Sequence, residues 1–363
     1  MNQEPANSKL IHVLVADDSA FMRTAITRMI ESDPELRVIA TAQNGIEALE
    51  QIISLRPDVV TLDVEMPGLN GIETLKRIMQ QSPRPVIMVS SLTQEGAETT
   101  LEALALGAFD YVPKQQSYVS LDIIKIRADL VAKIKAAAES HRRKPLLARA
   151  TKVAPAPLAA APRFAPRIAP SIVAIGTSTG GPKALQEILP LFPEDLPVGV
   201  LIVQHMPKGF TGPFARRLDG LCKVSVREAT PGATIEPGVV YIGPAGLHMT
   251  VQPRTSSQVA IHLSTSPVGT LHTPSVDVMM TSVAEVFRSL SMGIILTGMG
   301  ADGLQGMQAI AREGGLTVGQ DEASCTVYGM PRSCAEGGVL QRVVPLMQVP
   351  EQILLATRYS KHA

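Results

Sequence analysis

At 363 residues the chain has room for two ordinary domains and a connector, and its 45% hydrophobic, 18% charged composition excludes broad disorder. The formal net charge is zero, which argues against a nucleic-acid binder, and the apolar runs are strand-length, short of the roughly 20 residues that insert in a membrane. Three cysteines, Cys222, Cys325 and Cys334, form no CxxC pair, and the N-terminus lacks an apolar signal core, so a cytoplasmic protein without disulfides or a thiolate metal site is expected.

The charge is unevenly spread. Residues 1–139 hold 13 Lys and Arg against 19 Asp and Glu. Five apolar runs alternate there with helical patterns. Leu10–Ala16 ends at Asp17-Asp18, with Ser19 placed to cap a helix over Ala20–Ile30. Arg37–Thr41 precedes Asn44-Gly45 and a helix to Ile53. Asp58–Leu62 ends at Asp63, and a helix over Ile72–Met79 follows. Pro85–Val89 ends at Ser90-Ser91 before a helix over Glu98–Leu106. Ala108–Val112 ends at Pro113-Lys114, and a long amphipathic helix runs from Ser120 to about Ala138. Five such units predict a parallel sheet covered on both faces, with ligands beyond the carboxyl ends of its strands.

Those strand ends carry Asp17, Asp18, Asp63, Ser90 and Lys114. Three converging carboxylates repel one another, and a divalent cation plus one lysine would relieve this. An all-oxygen ligand set suits Mg²⁺. Asp63, at the tip of the central strand, is placed to accept a phosphoryl group. Helix capping explains Asp17 or Asp18 alone but not the whole set. Over residues 8–135 these positions resemble the receiver domain of two-component response regulators. The resemblance implies a (βα)5 fold, Asp63 as phosphoacceptor and Mg²⁺ held by Asp17, Asp18 and Asp63. It also implies Ser90 and Tyr111 as switch residues, Lys114 as the charge partner and a histidine kinase as phosphodonor. Gln115 follows Lys114 where many receivers place a proline.

From residue 140 to 170 the sequence is rich in Ala and Pro and holds seven basic and no acidic residues. It reads as an extended, partly polyproline-like linker. The βα pattern resumes at Ser171. An apolar run, Ile172–Ile175, stops at Gly176-Thr177-Ser178-Thr179-Gly180-Gly181, with Pro182 opening a helix. Val198–Val203 leads into His205 and a helix over Phe210–Leu218. Strands and irregular loops are expected between Lys223 and Ser264, then a helix over Ser275–Phe287. Gly293–Leu296 runs into Thr297–Gly303 with Asp302, ahead of a helix over Leu304–Arg312. Leu316–Gln320 and Gly338–Val343 read as strands, Gly329–Glu336 and Pro350–Tyr359 as helices.

Ser178, His205 and Asp302 thus follow three apolar strands, and parallel strands would bring them to one rim. A hydrolytic serine needs a neutral imidazole in reach and an acid to fix its tautomer. Ser178 equally suits a helix N-cap, and the glycine turn a phosphate loop, although no GxxxxGK[ST] order is present. His248, His262 and His272 compete with His205 as base, and Asp277 competes with Asp302. The turn lacks GxSxG spacing, and the order Ser, His, Asp departs from the α/β-hydrolase fold.

Residues 171–357 resemble the catalytic domain of the chemotaxis protein-glutamate methylesterases. The resemblance rests on the Ile175–Pro182 turn, Gln204-His205-Met206-Pro207, Pro274-Ser275-Val276-Asp277 and Leu296–Gly303. It implies a Rossmann-like α/β domain with a mostly parallel sheet and a Ser178, His205, Asp302 triad. The oxyanion region falls at Thr179 and Met299, and the ester chemistry needs no cofactor. Hydrolysis of glutamate methyl esters on methyl-accepting chemoreceptors, deamidation of receptor glutamines and control by phosphorylation are its functional implications. A monomer is expected. His272-Thr273 stands where an arginine-containing sequence often precedes the Pro-Ser-Val-Asp segment.

Overall fold

The computed structural model describes residues 10–91, 93–114, 122–150, 168–255 and 258–359. The chain divides into two compact units, Met1–Ala154 and Pro155–Ala363.

In the first unit, strands β1 (Ile11–Ala16), β2 (Leu36–Ala42), β3 (Val59–Asp63), β4 (Val86–Ser90) and β5 (Asp110–Pro113) alternate with helices. These helices are α1 (Ala20–Ile30), α2 (Gly45–Leu55), α3 (Gly71–Gln81), α4 (Gln94–Ala105) and α5 (Asp122–Ala150). The sheet order is β2-β1-β3-β4-β5, and every pairing is parallel. Strands β3 and β4 are buried at every position, which is why they read as unbroken apolar runs rather than alternating ones. Ser19, Asn44, Asn70 and Thr93 each accept a bond from an amide in the first turn of the following helix, so polar residues start four of the five helices.

Helix α5 corrects one expectation. It continues to Ala150, past Pro145, so the first part of the 140–170 stretch is helical rather than extended. Alanine, leucine, lysine and arginine dominate residues 132–150, and their combined helix propensity outweighs the roughly 3 kcal/mol of a single interior proline. Dense prolines begin only at Pro155, and residues 151–167, on which the polyproline reading falls, lie outside the described ones.

The second unit is built on a seven-stranded parallel sheet. Its elements are β6 (Ile172–Thr177), α6 (Gly181–Ile188), β7 (Gly199–Gln204), α7 (Thr211–Asp219), β8 (Ser225–Glu228) and β9 (Val239–Ile242). A separate antiparallel hairpin, β10 (His248–Pro253) with β11 (Val259–Ser264), interrupts the series. Helix α8 (Val276–Phe287), β12 (Ser291–Ile295), α9 (Leu304–Arg312), β13 (Leu316–Gln320), α10 (Met330–Glu336), β14 (Arg342–Val344) and α11 (Val349–Ala356) complete it.

The sheet order is β14-β13-β12-β6-β7-β9-β8. The chain winds outward from β6 to one edge, then returns to β12 on its other side. The order therefore reverses between β6 and β12, and α/β sheets bind ligands in the crevice at such a reversal. The hairpin covers the core with Met249, Val251 and Ile261 packed among α8 and strand side chains. No helix among the described residues is long and apolar enough to cross a membrane.

Candidate active site and acidic cluster

Parallel register brings the second unit's polar residues together. Thr177 pairs with Gln204, so Ser178 and His205 are the next residues of adjacent strands, and the His205 amide bonds the Thr177 carbonyl at 3.2 Å. The Ser178 amide reaches across to the Thr297 carbonyl at 3.0 Å, tying the turn to the segment after β12. Gly180, at φ 78°, is the N-cap of α6 and no side chain caps that helix. Ser178 is therefore not a cap, and its half-buried hydroxyl is not spent on the helix start. Gly298 admits the serine: a Cβ there would lie 2.9 Å from the Ser178 Cβ and 2.2 Å from the Met330 sulfur.

His205 Nε2 lies 2.8 Å from Asp302 Oδ2. With the proton on Nε2 shared with that carboxylate, the lone pair falls on Nδ1, which is buried and has no hydrogen-bond partner among the described residues. One face of the ring is covered by His272, stacked at 3.9 Å between centroids. Asp302 is saturated. Its carboxylate also accepts from the Ser275 hydroxyl at 2.8 Å and from the Val276 and Asp277 amides at 2.8 and 2.9 Å. Burial alone would raise the Asp302 carboxyl. The His205 bond and charge, with the amides of the α8 N-terminus, outweigh burial and hold it far below the usual carboxylate range.

The competing acid has a different task. Asp277 Oδ1 accepts from the Gly303 and Gly306 amides at 2.9 and 2.8 Å. Asp302, just before α9, thus satisfies amides at the start of α8, while Asp277, in the first turn of α8, satisfies amides at the start of α9. Each helix cap holds the other's carboxylate in place. Burial pushes the Asp277 carboxyl up, and the Asp302 charge adds to it against the two amide bonds. Among the competing histidines, His262 is exposed on β11 and His248 is fully buried and bonded elsewhere, while His272 stacks on His205.

Among the described residues the Thr179 and Met299 amides donate to no protein acceptor; Thr179 follows the serine, and Met299 follows Gly298, which packs against it. Behind them lies a buried polar scaffold that sequence reading missed. The Thr177 hydroxyl donates to the Thr297 carbonyl at 2.8 Å, and the Thr297 hydroxyl to the Thr179 carbonyl at 2.9 Å. Gln320 Oε1 accepts the Thr297 amide, and the Gln204 amide group bonds the Ser178 carbonyl. Their only signal was a polar residue closing each apolar strand.

In the first unit, Asp17, Asp18 and Asp63 each place one carboxylate oxygen within 4.8 Å of the others. Asp17 and Asp63 are buried and Asp18 is exposed. Lys114 Nζ lies 2.6 Å from Asp63 Oδ2 and 3.1 Å from Asp17 Oδ2. The lysine is the one cation paired with these two buried oxygens among the described residues. Burial raises Asp63 to about 6, Lys114 opposes that, and the Asp17 charge adds to it. Burial would lower Lys114, but the two carboxylates raise it, so the ammonium stays charged. Three clustered carboxylates facing a single lysine leave negative charge in excess, and an all-oxygen donor set fits a hard divalent cation.

Arg23, unnoticed in the sequence, donates to the Asp17 and Asp18 carbonyls, both at 2.9 Å. The Ser90 hydroxyl is not turned to Asp63: it bonds the Gly96 carbonyl at 3.2 Å and Thr100 Oγ1 at 2.7 Å. Tyr111 is buried on β5, with its carbonyl bonded to Lys133 at 2.7 Å.

Comparison with known proteins agrees with this division. Residues 173–353 match the family model of the CheB methylesterase, and residues 13–123 that of the response regulator receiver domain. A protein-glutamate methylesterase/protein-glutamine glutaminase of Oleidesulfovibrio alaskensis is 47% identical, over 96% of this chain and 99% of its own length. One from Pyrococcus horikoshii is 46% identical, over 97% and 95%. The crystal structure of the Thermotoga maritima CheB methylesterase catalytic domain is covered completely, matching 53% of this chain at 37% identity and a TM-score of 0.50.

Proposed function

This chain belongs to the CheB family of protein-glutamate methylesterases/protein-glutamine glutaminases, and from that premise we propose that Ser178, His205 and Asp302 carry out the hydrolysis. The chain is a protein-glutamate methylesterase and protein-glutamine glutaminase acting on methyl-accepting chemoreceptors. The observation that carries the residue assignment is the pair of His205 nitrogens: Nε2 committed to Asp302, and Nδ1 buried without a partner among the described residues.

Ser178 Oγ attacks the γ-carbonyl of the receptor side chain and gives its proton to His205 Nδ1. Asp302 stabilises the resulting imidazolium. The oxyanion is received by the Thr179 and Met299 amides, which have no other acceptor to leave. On collapse, His205 returns the proton to the leaving group, and methanol departs from an ester or ammonia from an amide. Water then adds to the acyl-enzyme with its proton passing to Nδ1, and expulsion of Ser178 leaves a glutamate carboxylate. The catalytic unit is assigned to residues 171–357 and the regulatory unit to residues 8–135.

In the regulatory unit Asp63 is the phosphoacceptor, and a chemotaxis histidine kinase is the donor. A Mg²⁺ ion held by Asp17, Asp18 and Asp63 would neutralise charge developing on the phosphoryl oxygens. Lys114 pairs with the same carboxylates. Ser90 donates to a phosphoryl oxygen only by giving up the Gly96 carbonyl, so phosphorylation and the start of α4 are coupled through it. The protein works in the cytoplasm as a monomer.

One assay tests both assignments. Ser178→Ala abolishes methanol and ammonia release from a methylated receptor while the chain stays folded. Asp63→Ala keeps basal release but loses activation by a small phosphodonor. Retained hydrolysis in Ser178→Ala refutes the nucleophile, and a retained phosphodonor response in Asp63→Ala refutes the switch.

A further inference from the structure

His248 is a fully buried histidine that the hydrolytic steps do not use. It opens β10, where it pairs with Ser264 across the hairpin. Both its ring nitrogens are engaged. Nε2 lies 3.1 Å from the Pro267 carbonyl and 3.2 Å from the Thr270 hydroxyl. That hydroxyl donates to the His272 carbonyl at 2.9 Å, so it faces His248 with its lone pairs. Nδ1 accepts the Ser275 amide at 3.2 Å. One tautomer fits both sides: a proton on Nε2 and a lone pair on Nδ1. Burial holds the imidazole below its ordinary pKa, against the Pro267 carbonyl and the Asp302 charge, so it remains neutral.

The two arms reach the catalytic imidazole at its Nε2 edge and at one face. Through Ser275, His248 meets the residue whose hydroxyl donates to Asp302 Oδ1, and Asp302 holds His205 Nε2. Through Pro267 and Thr270 it fixes the loop that carries His272, whose ring stacks on His205. We propose that His248 is a positioning residue for the hydrolysis, acting through its Nδ1 acceptor on Ser275 and thereby on the Asp302–His205 pair. This inference rests on the assignment of Asp302 and His205 made above.

The site fixes which substitutions discriminate. Asparagine at 248 places its amide oxygen near Nδ1 and keeps the acceptor for Ser275. Glutamine places its terminal amide near Nε2 and loses it. In the full chain, His248→Gln lowers kcat for methanol release by about 10- to 100-fold with KM kept within about twofold, the size expected when a reacting group is displaced by a fraction of an ångström. His248→Asn stays within about threefold of the parent. In a Ser275→Ala background, His248→Gln costs little more, because the route to Asp302 is already cut.

Equal losses in the two His248 variants, a loss confined to KM, or full multiplication of the His248→Gln and Ser275→Ala effects would each overturn the proposal. Should His248→Gln not fold, nitrogen NMR of histidine-labelled parent protein decides. A neutral Nε2–H tautomer at position 248 at pH 7 supports the proposal, and an Nδ1–H or protonated ring refutes it. Ser178→Ala is the separate control: were it active, the triad itself would fail, whereas the His248 comparison is read only against a parent whose activity depends on Ser178.

Discussion

The two units place a carboxylate at the end of a buried parallel strand and treat it in opposite ways. Asp302 meets three protein donors besides His205 and is held far below its ordinary range. Asp63 meets one backbone amide at 3.2 Å, one lysine at 2.6 Å and the repulsion of Asp17, and burial raises it to about 6. The carboxylate proposed to hold an imidazole is saturated with donors and cannot wander. The one proposed to attack and to share a cation has fewer donors and a like charge beside it. The same substitution, aspartate to asparagine, therefore has opposite consequences in the two units.

The largest expected effect is at Asp302. Asp302→Asn removes the acceptor that fixes the His205 tautomer, and kcat for methanol release falls by about 10³- to 10⁴-fold, the range seen when a triad acid is neutralised. It also leaves donors around one carboxamide oxygen that two carboxylate oxygens served before. The second unit loses about 1–3 kcal/mol of stability, read from its denaturant midpoint. An activity loss below tenfold breaks the comparison on its catalytic side.

At Asp63 the sign reverses. The folded carboxyl titrates at about 6 against an ordinary value of 3.8, so the folded state binds the proton more tightly. The stability it contributes is fully present below pH 4 and lost as pH rises through about 6, an effect of up to about 3 kcal/mol. Asp63→Asn removes that penalty and raises the neutral-pH stability of the first unit by about 1–3 kcal/mol, with Lys114 still paired to Asp17 at 3.1 Å. The gain shrinks toward zero near pH 4. For Asp302 the window is the reverse: its stabilisation is present above pH 4 and lost only as pH falls further. A destabilised Asp63→Asn protein at pH 7 contradicts a burial penalty on the Asp63 charge.

The sequence made one half of this contrast legible. Apolar runs ending in Asp17, Asp63, Ser178 and His205 located the strands, because buried parallel strands have no solvent-facing alternation to blur them. Parallel topology then forced those residues to a common rim. The other half was hidden because it is made of contacts between distant segments. Asp277 looked like a helix-start acid, and it is one, but it serves the amides of a helix 26 residues further on, at Gly303. His248 in a turn-rich stretch carried no periodic or motif signal, and its partners lie 19 and 27 residues away. The direction of the Ser90 hydroxyl depends on α4, not on β4. Helix α5 runs past the expected end because the repeated prolines of the 140–170 stretch are dense only from Pro155, while alanines and leucines surround Pro145.

The smallest expected effect sharpens what makes Asp63's neighbourhood ready for a cation. Arg23 bonds the carbonyls of both Asp17 and Asp18, so it fixes the turn without touching a carboxylate. Were the acidic cluster assembled by charge alone, removing a nearby cation would tighten divalent binding by deepening the negative field. Were it assembled by backbone geometry, the same removal would loosen the turn and weaken binding. Two charged hydrogen bonds to partly exposed carbonyls are worth about 1 kcal/mol in net terms, which outweighs the screened long-range charge of a side chain at the rim. Arg23→Ala therefore weakens Mg²⁺ binding about fivefold, measured by titration of the full chain, and leaves basal methanol release unchanged. Tighter binding would show that the field, not the turn, sets the site.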